Sequence, residues 1–327
     1  MKAIVYRNYG SAGVLQCEET EIPAAGDKEV LIKVRAASVN PLDWHFMRGT
    51  PYFVRIMLGL SKPKDPRLGV DVAGQVEAVG RSVTQFKPGD EVFGSCRGAF
   101  AEYACAPESA LVMKPDNITF EQAAAVPVAA FTALQGLRDK GHIQPGHKVL
   151  INGAAGGVGT LAVQIAKSFG TDVTGVCSTR NVNMVRSLGA DRVIDYTRED
   201  FTRGGQRYDL FFDCIGNHSL AACRCLLNPN GVYIPVGGEG GRWMIGALAQ
   251  SVTALVLSWI VSQELVPFFL ARTTPQDLTL IRELMATGKV TPVIDRRYSL
   301  SEVPDAIRYL EEGRARGKVV IVLEHTS

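Results

Sequence analysis

The sequence lacks the cysteine spacing of a disulfide-bonded or metal-stapled protein. Its 327 residues include seven cysteines, an odd number, and no two of them are spaced as Cys-x-x-Cys. A chain of this length buries about 75% of the surface that it exposes when unfolded, so its stability requires no such links. Because most of the cysteines lie in apolar runs, we expect reduced, buried thiols and a location in the cytoplasm.

The sequence also lacks an excess of charge of either sign. Its 35 Lys and Arg residues against 33 Asp and Glu residues give a net charge of +2, and no long run of one sign occurs. A nucleic-acid partner normally requires a strongly basic surface, so we expect none. The first ten residues contain Lys2 and Arg7 and no apolar stretch, so we expect no signal peptide.

Charge is missing altogether between residues 243 and 263. This stretch is long enough to span a bilayer, but Gly246, Gln250, Ser251, Thr253 and Ser258 dilute its apolar character. Three interpretations stay open: a buried helix, which we favour, a face for a dimer partner or for substrate entry, and a membrane element. We expect no integral membrane segment and leave peripheral membrane association open.

The first 120 residues are rich in short strand-like runs separated by turn signals. The predicted strands cover residues 2–6, 30–37, 70–79, 91–93, 100–106 and 111–114. Short strands at this spacing predict an antiparallel barrel. Residues 40–66 are rich in aromatic side chains and contain four prolines. We expect them to form a long functional loop or lid.

After Thr119, a predicted helix N-cap, strands alternate with helices. The predicted strands cover residues 148–152, 172–177, 192–195, 209–215 and 231–236, and the predicted helices cover residues 158–169, 182–188 and 218–227. These strands are continuously apolar, as in a parallel sheet covered on both faces. The alternation predicts an α/β, doubly wound fold. Residues 301–323 predict one amphipathic helix followed by a strand.

A glycine-rich turn between a strand and a helix is the most specific local motif. Gly156, Gly157, Val158 and Gly159 open the helix that follows strand 148–152. The free N–H groups and the dipole of such a helix start stabilise a pyrophosphate. Ala154 occupies the first glycine position, so the motif departs from the strict Gly-x-Gly-x-x-Gly pattern. A tight turn alone also uses glycine, but the flanking strand and helix favour dinucleotide binding.

The end of the second strand of this region indicates which dinucleotide is bound. A site for NAD normally places an acid there for the ribose 2′-hydroxyl, whereas this chain has Ser178, Thr179 and Arg180. The hydroxyls can donate hydrogen bonds, and the guanidinium can make a charge-assisted bond to a 2′-phosphate. The alternative is that Arg180 is a solvated residue at a helix start. We expect NADP(H).

Several motifs together give the chain a resemblance to a known family. They are residues 38–43 (SVNPLD), 69–80 (GVDVAGQVEAVG), 88–92 (PGDEV), 153–159, 163–167 (VQIAK) and 317–320 (GKVV). The chain resembles the medium-chain dehydrogenase/reductases, specifically their zinc-free quinone oxidoreductase-like branch. The resemblance implies a GroES-like β-barrel catalytic domain, completed by the C-terminus, plus an inserted Rossmann domain. We expect domains at residues 1–122 with 265–327 and at residues 123–264, and a homodimer.

The resemblance also implies that the protein binds no metal. Zinc-dependent relatives need a thiolate, an imidazole and a third ligand. Here the cysteine position near Asn40 has no thiol, and Val70 replaces the histidine of the Gly-His-Glu motif. Asp71 alone cannot hold a metal, and we expect it to form a hydrogen bond inside the barrel.

Without a Lewis acid, hydride transfer to an already electrophilic acceptor is the less demanding reaction. We expect a zinc-independent, NADPH-dependent reductase of quinones or α,β-unsaturated carbonyls. Residues 51–60 and 243–263 predict a lipophilic acceptor. The alternatives are an NADP-dependent alcohol dehydrogenase, a 2-enoyl thioester reductase and a cofactor-binding protein with little catalysis.

The resemblance and the strand ends also suggest roles for single residues. Asn40 matches an asparagine near the nicotinamide ribose and the substrate, and its amide would also polarise a carbonyl; the alternative is a turn amide before Pro41. Tyr52 is a candidate proton or hydrogen-bond donor, although packing explains it equally well. The further cofactor candidates are Thr132 beside the nicotinamide, Tyr196 near the 2′-phosphate, Gly216 and Gly237 at later strand ends, and Lys318 in the C-terminal signature.

Overall fold

The computed structural model describes residues 1–52, 54–237, 262–267 and 269–324. The chain divides into two compact units, Met1–Ala129 with Thr273–Ser327 and Ala130–Arg272. The second unit is therefore inserted into the sequence of the first. The boundaries that we expected, after residues 122 and 264, stay a prediction beside this division.

The described residues form strands and helices in the following order. The strands are β1 (Lys2–Tyr6), β2 (Leu15–Glu19), β3 (Glu29–Val39), β4 (Asp71–Val79), β5 (Glu91–Ser95), β6 (Tyr103–Pro107), β7 (Leu111–Met113), β8 (Lys148–Asn152), β9 (Asp172–Cys177), β10 (Arg192–Asp195), β11 (Tyr208–Asp213), β12 (Leu227–Pro235), β13 (Glu264–Leu265), β14 (Ile294–Ser299) and β15 (Lys318–Val322). The helices are α1 (Pro41–Arg48), α2 (Val54–Leu58), α3 (Phe120–Ala124), α4 (Pro127–Gln135), α5 (Gly157–Ser168), α6 (Val182–Ser187), α7 (Leu220–Cys225), α8 (Pro275–Ala286) and α9 (Val303–Glu311).

The first unit is built around one large sheet with the order β14-β15-β3-β4-β5-β7, and β6 also pairs with β3. Strand β3 is long enough to pair antiparallel with β15, β4 and β6. The register places Val39 opposite Val319 and Ser38 opposite Asp71. The end of β3 and the starts of β4 and β15 therefore lie side by side.

Apolar residues from both ends of the sequence share the core of this unit. Val319 and Ile321 of β15 and Ile307 of α9 pack in the same cluster as Val34 and Val72. All five are fully buried, and burying a side chain of this size contributes about 1.5–3 kcal/mol. The C-terminal helix and strand thus complete the barrel core, which confirms the predicted GroES-like domain with its C-terminal contribution.

The second unit contains a parallel six-stranded sheet with the order β10-β9-β8-β11-β12-β13. In sequence order this is 3-2-1-4-5-6, the strand order of the Rossmann fold, so the doubly wound prediction is confirmed. Strands β8, β9 and β10 have the bounds that we predicted. The order reverses between β8 and β11, and ligands bind at the carboxyl ends of strands at such a point.

The expectation of a long loop at residues 40–66 is wrong. Helix α1 begins directly after Asn40, with Pro41 at a position where a missing N–H costs nothing. The Asp43 carboxylate reaches back to the Asn40 N–H at 2.7 Å, which is half of a capping box. Helix α2 then covers Val54–Leu58. The prolines suggested a loop because the proline at a helix start was not distinguished from one that breaks a helix.

The expectation of buried thiols is only partly correct. Cys96, Cys177 and Cys223 are buried, but Cys17 and Cys225 are exposed. All seven cysteines are free thiols. Cys17 is exposed because β2 pairs only with β1 in a two-stranded sheet, so one of its faces stays open to solvent.

The uncharged stretch at residues 243–263 lies outside the described residues, except for Ser262 and Gln263. Its three interpretations therefore stay predictions. Within the described ranges, no helix combines the length and the hydropathy that crossing a membrane requires.

Candidate functional site

Five polar side chains are buried together where β3 ends and β4 and β15 begin. Ser38, Asn40, Asp43, Asp71 and Lys318 are each at most 4% exposed. We call this group the buried polar cluster. Sequence analysis singled out Asn40 and Lys318 as cofactor residues and Asp71 as a barrel hydrogen-bonding residue, but it missed Ser38 and Asp43. The Asn-Pro-x-Asp spacing, an N-cap followed by an acid three residues later, was the available signal for Asp43.

The Asn40 amide is held on both of its sides. Its Nδ2 donates to Asp71 Oδ2 at 2.8 Å and to the Ser38 carbonyl oxygen at 3.3 Å. Its Oδ1 accepts from Lys318 Nζ at 2.5 Å. Since an ammonium only donates and a carboxylate only accepts, these neighbours fix which end of the amide is which.

Asp71 connects the cluster to the start of helix α4. Its Oδ2 accepts from Ser38 Oγ at 2.7 Å and lies 3.4 Å from Lys318 Nζ. Its Oδ1 accepts from the Val128 N–H at 2.9 Å. A carboxylate at a helix start is stabilised by the free N–H groups and by the dipole. The expected role of Asp71 as a hydrogen-bonding residue inside the barrel is seen in these contacts, and Thr132 lies one turn further along the same helix.

Asp43 and Lys318 are the titratable groups that burial perturbs most in this cluster. Burial raises the pKa of Asp43 to about 7. The Asn40 N–H opposes this rise by donating to Oδ2, whereas Oδ1 is buried with no hydrogen-bond partner. Burial also lowers the pKa of Lys318, and the Asp71 carboxylate opposes that change. The cluster therefore combines one compensated ion pair with a carboxyl group that keeps its proton to near neutral pH.

Tyr52 is placed differently from Asn40. It is 73% exposed, and the Arg55 guanidinium lies 4.8 Å from the centre of its ring. His45, by contrast, is buried; its Nδ1 donates to the Thr50 carbonyl oxygen at 3.0 Å, and its ring stacks on Trp44 at 3.7 Å. Burial lowers the pKa of His45, and the hydrogen bond to the Thr50 carbonyl oxygen opposes that change. Its role here is to connect α1 to the segment that follows.

The glycine-rich turn of the second unit has the geometry of a phosphate site. Gly153 has a φ of +80°, and the Gly156 N–H donates to its carbonyl oxygen at 3.0 Å. A Cβ on Gly159 would lie 2.1 Å from that same oxygen, so only glycine fits there. Because Gly153 makes the sharp turn, Ala154 is tolerated at the first glycine position.

Helix α5 starts at this turn without a side-chain cap. Its N-cap is Gly156, and its first turn has no acidic residue. The Thr160 N–H donates to the Gly156 carbonyl oxygen at 2.9 Å, so the N–H groups of Gly157, Val158 and Gly159 precede the first intrahelical bond. These residues fit a pyrophosphate, because they combine free donors, the positive end of the helix dipole and no competing carboxylate.

A buried carboxylate orders the neighbouring strand end. Asp213, the last residue of β11, accepts from Asn152 Nδ2 at 2.9 Å and from the Gly216 N–H at 2.9 Å. The Tyr233 hydroxyl donates to its second oxygen at 3.0 Å. Sequence reasoning missed Asp213, although a polar residue that ends an apolar strand is a usable signal. Gly237 follows β12 at the same edge, and Asp213 thus sets the turn that carries the predicted Gly216.

The end of β9 holds the predicted 2′-phosphate residues together with an acid that we did not predict there. Asp195 ends β10 opposite Cys177, and the Thr179 hydroxyl donates to it at 2.6 Å. That hydrogen bond is the main reason for a lowered pKa of Asp195. The Thr179 proton is thus directed at Asp195, and the roles of Ser178 and Arg180 toward a 2′-phosphate stay predictions. The acid was missed because it comes from the adjacent strand.

The backbone of Tyr196 is hydrogen-bonded to the end of β9. Tyr196 follows β10, is largely exposed, and donates its N–H to the Cys177 carbonyl oxygen at 3.1 Å, beside the end of β9.

Among the residues that the structure describes, no group of three or more His, Cys, Asp or Glu side chains is arranged to hold a metal ion.

Two family models match parts of this chain. Residues 26–116 match a family model described as the alcohol dehydrogenase GroES-like domain. Residues 188–321 match one described as zinc-binding dehydrogenase.

Curated relatives match nearly the whole chain. A 2-methylene-furan-3-one reductase of Solanum lycopersicum is 36% identical over 98% of this chain and 79% of its own length. A chloroplastic NADPH-dependent alkenal/one oxidoreductase of Arabidopsis thaliana is 35% identical over 98% of this chain and 79% of its own length. The solved structure of the quinone oxidoreductase from Coxiella burnetii is similar with a TM-score of 0.85 at 30% identity, covering 99% of both chains.

Proposed function

Because the chain belongs to the medium-chain dehydrogenase/reductase superfamily, in its quinone oxidoreductase-like branch, we propose that it transfers a hydride from NADPH to a quinone or an α,β-unsaturated carbonyl. The protein is an NAD(P)H-dependent oxidoreductase of the quinone/alkenal reductase type. The preference for NADP(H), the acceptor and the residue roles below are the proposal.

The uncapped start of helix α5 is the observation that carries the proposal. The N–H groups of Gly157, Val158 and Gly159 would hold the pyrophosphate. Gly216 and Gly237 would let the dinucleotide pass the neighbouring strand ends. Thr132, Asn40 and Lys318 stay predictions for the nicotinamide end. When bound, the reduced nicotinamide supplies the hydride, and the protein supplies orientation and a dry environment.

The proposed preference for NADPH depends on Arg180 and its surroundings. A charge-assisted hydrogen bond from Arg180 to a 2′-phosphate contributes about 1.5–3 kcal/mol, or roughly 10- to 150-fold in affinity. The Asp195 carboxylate repels an approaching phosphate, but Arg198 Nε lies 3.5 Å from Asp195 Oδ2 and offsets the charge of that carboxylate. Ser178 and Tyr196 flank the same strand end. The similarity to the NADPH-dependent Arabidopsis relative supports this assignment.

A conjugated carbonyl is the acceptor class that this chain can reduce with the fewest catalytic groups. Hydride addition to the β-carbon of an enone moves negative charge to the carbonyl oxygen, which a hydrogen-bond donor stabilises. We propose Tyr52 for that donor, with water as the alternative proton source. Ile56, Met57 and Leu60, which follow Tyr52 in the sequence, are exposed, with Met57 at 81%. This apolar surface supports a lipophilic acceptor.

An acceptor panel with both cofactors tests the proposal. We expect NADPH oxidation with quinones and enones, faster with long-chain acceptors than with small hydrophilic ones, and no dependence on added zinc. Alcohol oxidation by protein that contains stoichiometric zinc would instead indicate an alcohol dehydrogenase, and turnover of a thioester alone would indicate an enoyl reductase. NADPH binding without any turnover would indicate a cofactor-binding protein.

We also propose a cytoplasmic homodimer with no nucleic-acid partner. The free thiols support the location, and the balanced charge of the sequence supports the expectation of no nucleic-acid partner. The Arabidopsis relative is named as a chloroplast protein, so cell fractionation is the direct test. Sedimentation velocity at several concentrations tests the dimer.

A further inference from the structure

The Asn40 amide has little hydrogen-bonding capacity left for a ligand. Both hydrogens of its Nδ2 are used, by Asp71 Oδ2 and by the Ser38 carbonyl oxygen. Its Oδ1 has two lone pairs, and Lys318 occupies one of them. The second lone pair of Oδ1 is therefore the hydrogen-bonding position of the Asn40 amide that remains for a ligand. A group of this polarity attracts a hydroxyl and repels an oxyanion.

Lys318 prevents the Asn40 amide from rotating by 180°. If the amide rotated by 180°, its NH₂ would face the Lys318 ammonium and its oxygen would face the Asp71 carboxylate. Both contacts would be repulsive, in a place where solvent does not screen them. The ion pair of Lys318 with Asp71 also keeps the ammonium in place, at 3.4 Å from the carboxylate.

We infer that Lys318 is a positioning residue that fixes the Asn40 amide, so that Asn40 meets its ligand as an acceptor, through Oδ1, and does not donate to a substrate carbonyl. The ligand class is a hydroxyl donor, and within the proposed function, on which this assignment rests, it is a ribose hydroxyl of the cofactor. The inference replaces the expected role of Asn40 in polarising a carbonyl, and it assigns Lys318 to the amide and not to a phosphate.

Exchanging the two side chains tests the polarity of Asn40. The double variant Asn40→Asp with Asp71→Asn keeps the net charge, keeps an oxygen that accepts from Lys318, and removes both amide hydrogens at position 40. We expect kcat with NADPH and a quinone to fall by no more than about 10-fold. Removing a donor to a developing oxyanion costs about 10²–10³-fold, so a loss of that size in the folded variant would overturn the inference.

Lys318→Met tests the positioning role, with Lys114→Met as its matched control. Lys114 is also a buried lysine of the first unit; its Nζ donates to the carbonyl oxygens of Pro115 at 3.1 Å and Ile118 at 2.8 Å and pairs with Glu91 at 2.9 Å. We expect both variants to lose thermal stability, but only Lys318→Met to weaken NADPH binding, by at least about 10-fold in the fluorescence-derived Kd. Equal Kd values in the two variants would overturn the positioning role.

A ligand-free measurement separates this inference from the proposed function. Lys318→Met leaves the buried Asp71 carboxylate without a counter-ion, and adding Asp71→Asn removes the charge of that carboxylate. We expect the double variant to have a higher Tm than Lys318→Met alone. Additive losses would overturn the inference whether or not the protein reduces quinones. If the wild type binds NADPH but reduces no acceptor, the proposed function fails while the Kd and Tm comparisons still decide this inference.

Discussion

Replacing Asp43 with asparagine changes the pH dependence of stability in a direction that the structure fixes. The Asp43 carboxyl group is fully buried, and burial raises its pKa from 3.8 to about 7. An asparagine at this position would still accept the Asn40 N–H through its amide oxygen, so the substitution removes the ionisable group with little change in shape. The charged and titratable groups around it are Asp71, Lys318, Tyr6 and Cys96.

The sign of the effect follows from proton binding. Between pH 4 and pH 7 the folded protein keeps a proton on Asp43 that the unfolded chain has released, so the free energy of unfolding falls as the pH rises. A rise in pKa from 3.8 to about 7 corresponds to roughly 4 kcal/mol over the whole window, at 1.36 kcal/mol per pKa unit. Between pH 5 and pH 7.5 the wild type should lose about 2–3 kcal/mol through this group.

Urea denaturation at pH 5, 6, 7 and 8 measures the effect. We expect the free energy of unfolding of Asp43→Asn to depend less on pH than that of the wild type, so that the difference between the two shifts by about 2–3 kcal/mol in favour of the variant between pH 5 and pH 7.5. Asp200→Asn is the control, because the Thr202 hydroxyl lowers the pKa of Asp200 and its contribution is constant above pH 5. If the free energies of unfolding of Asp43→Asn and the wild type change in parallel from pH 5 to pH 8, the pKa of Asp43 is not raised in the folded protein.

The remaining predictions concern the second unit. Arg180→Glu should raise the KM for NADPH at least 10-fold more than the KM for NADH, and an unchanged ratio would remove Arg180 from the cofactor site. Gly159→Ala should lower both Tm and NADPH affinity, whereas Gly156→Ala, whose Cβ would lie 3.5 Å from the Gly153 oxygen, should lower only the affinity. Asp213→Ala should destabilise the fold by more than about 3 kcal/mol in urea, because it leaves buried donors unpaired.

The Rossmann strands and the phosphate turn were predictable because their signals are contiguous in the sequence. Strands β8, β9 and β10 are apolar runs bounded by turn residues, and their predicted bounds match the structure. The turn needs only its own glycines and the flanking strand and helix. In contrast, α1 was missed because its start combines Pro41 with a capping residue, and the proline was interpreted as a breaker.

The acid beside Thr179 shows a second limit of sequence reasoning. The end of β9 contains no acid, and that absence favoured NADP(H). The parallel register, however, brings Asp195 of β10 beside Cys177 of β9. Because Asp195 belongs to a different strand, a pattern confined to the residues of β9 does not include it. Charge at a sheet edge is a property of neighbouring strands together. The proposed preference for NADPH would therefore depend on the balance between Arg180, Arg198 and Asp195 and not on Arg180 alone.

The buried polar cluster was hidden for the same reason, at a longer range. Its members come from three strand ends and from the first turn of α1, and Asn40 and Lys318 are separated by 278 positions. Only the pairing of β3 with β4 and β15 brings them together. As a sequence feature, a lysine in the C-terminal signature suggests a phosphate contact, since a solvated ammonium is an anion-binding group. At 4% exposure and 3.4 Å from Asp71, the Lys318 charge is already compensated. Under the proposed function, the positive charge for a 2′-phosphate would therefore come from the arginines at the ends of β9 and β10, and for this reason we expect Arg180→Glu and Lys318→Met to affect cofactor binding in different ways.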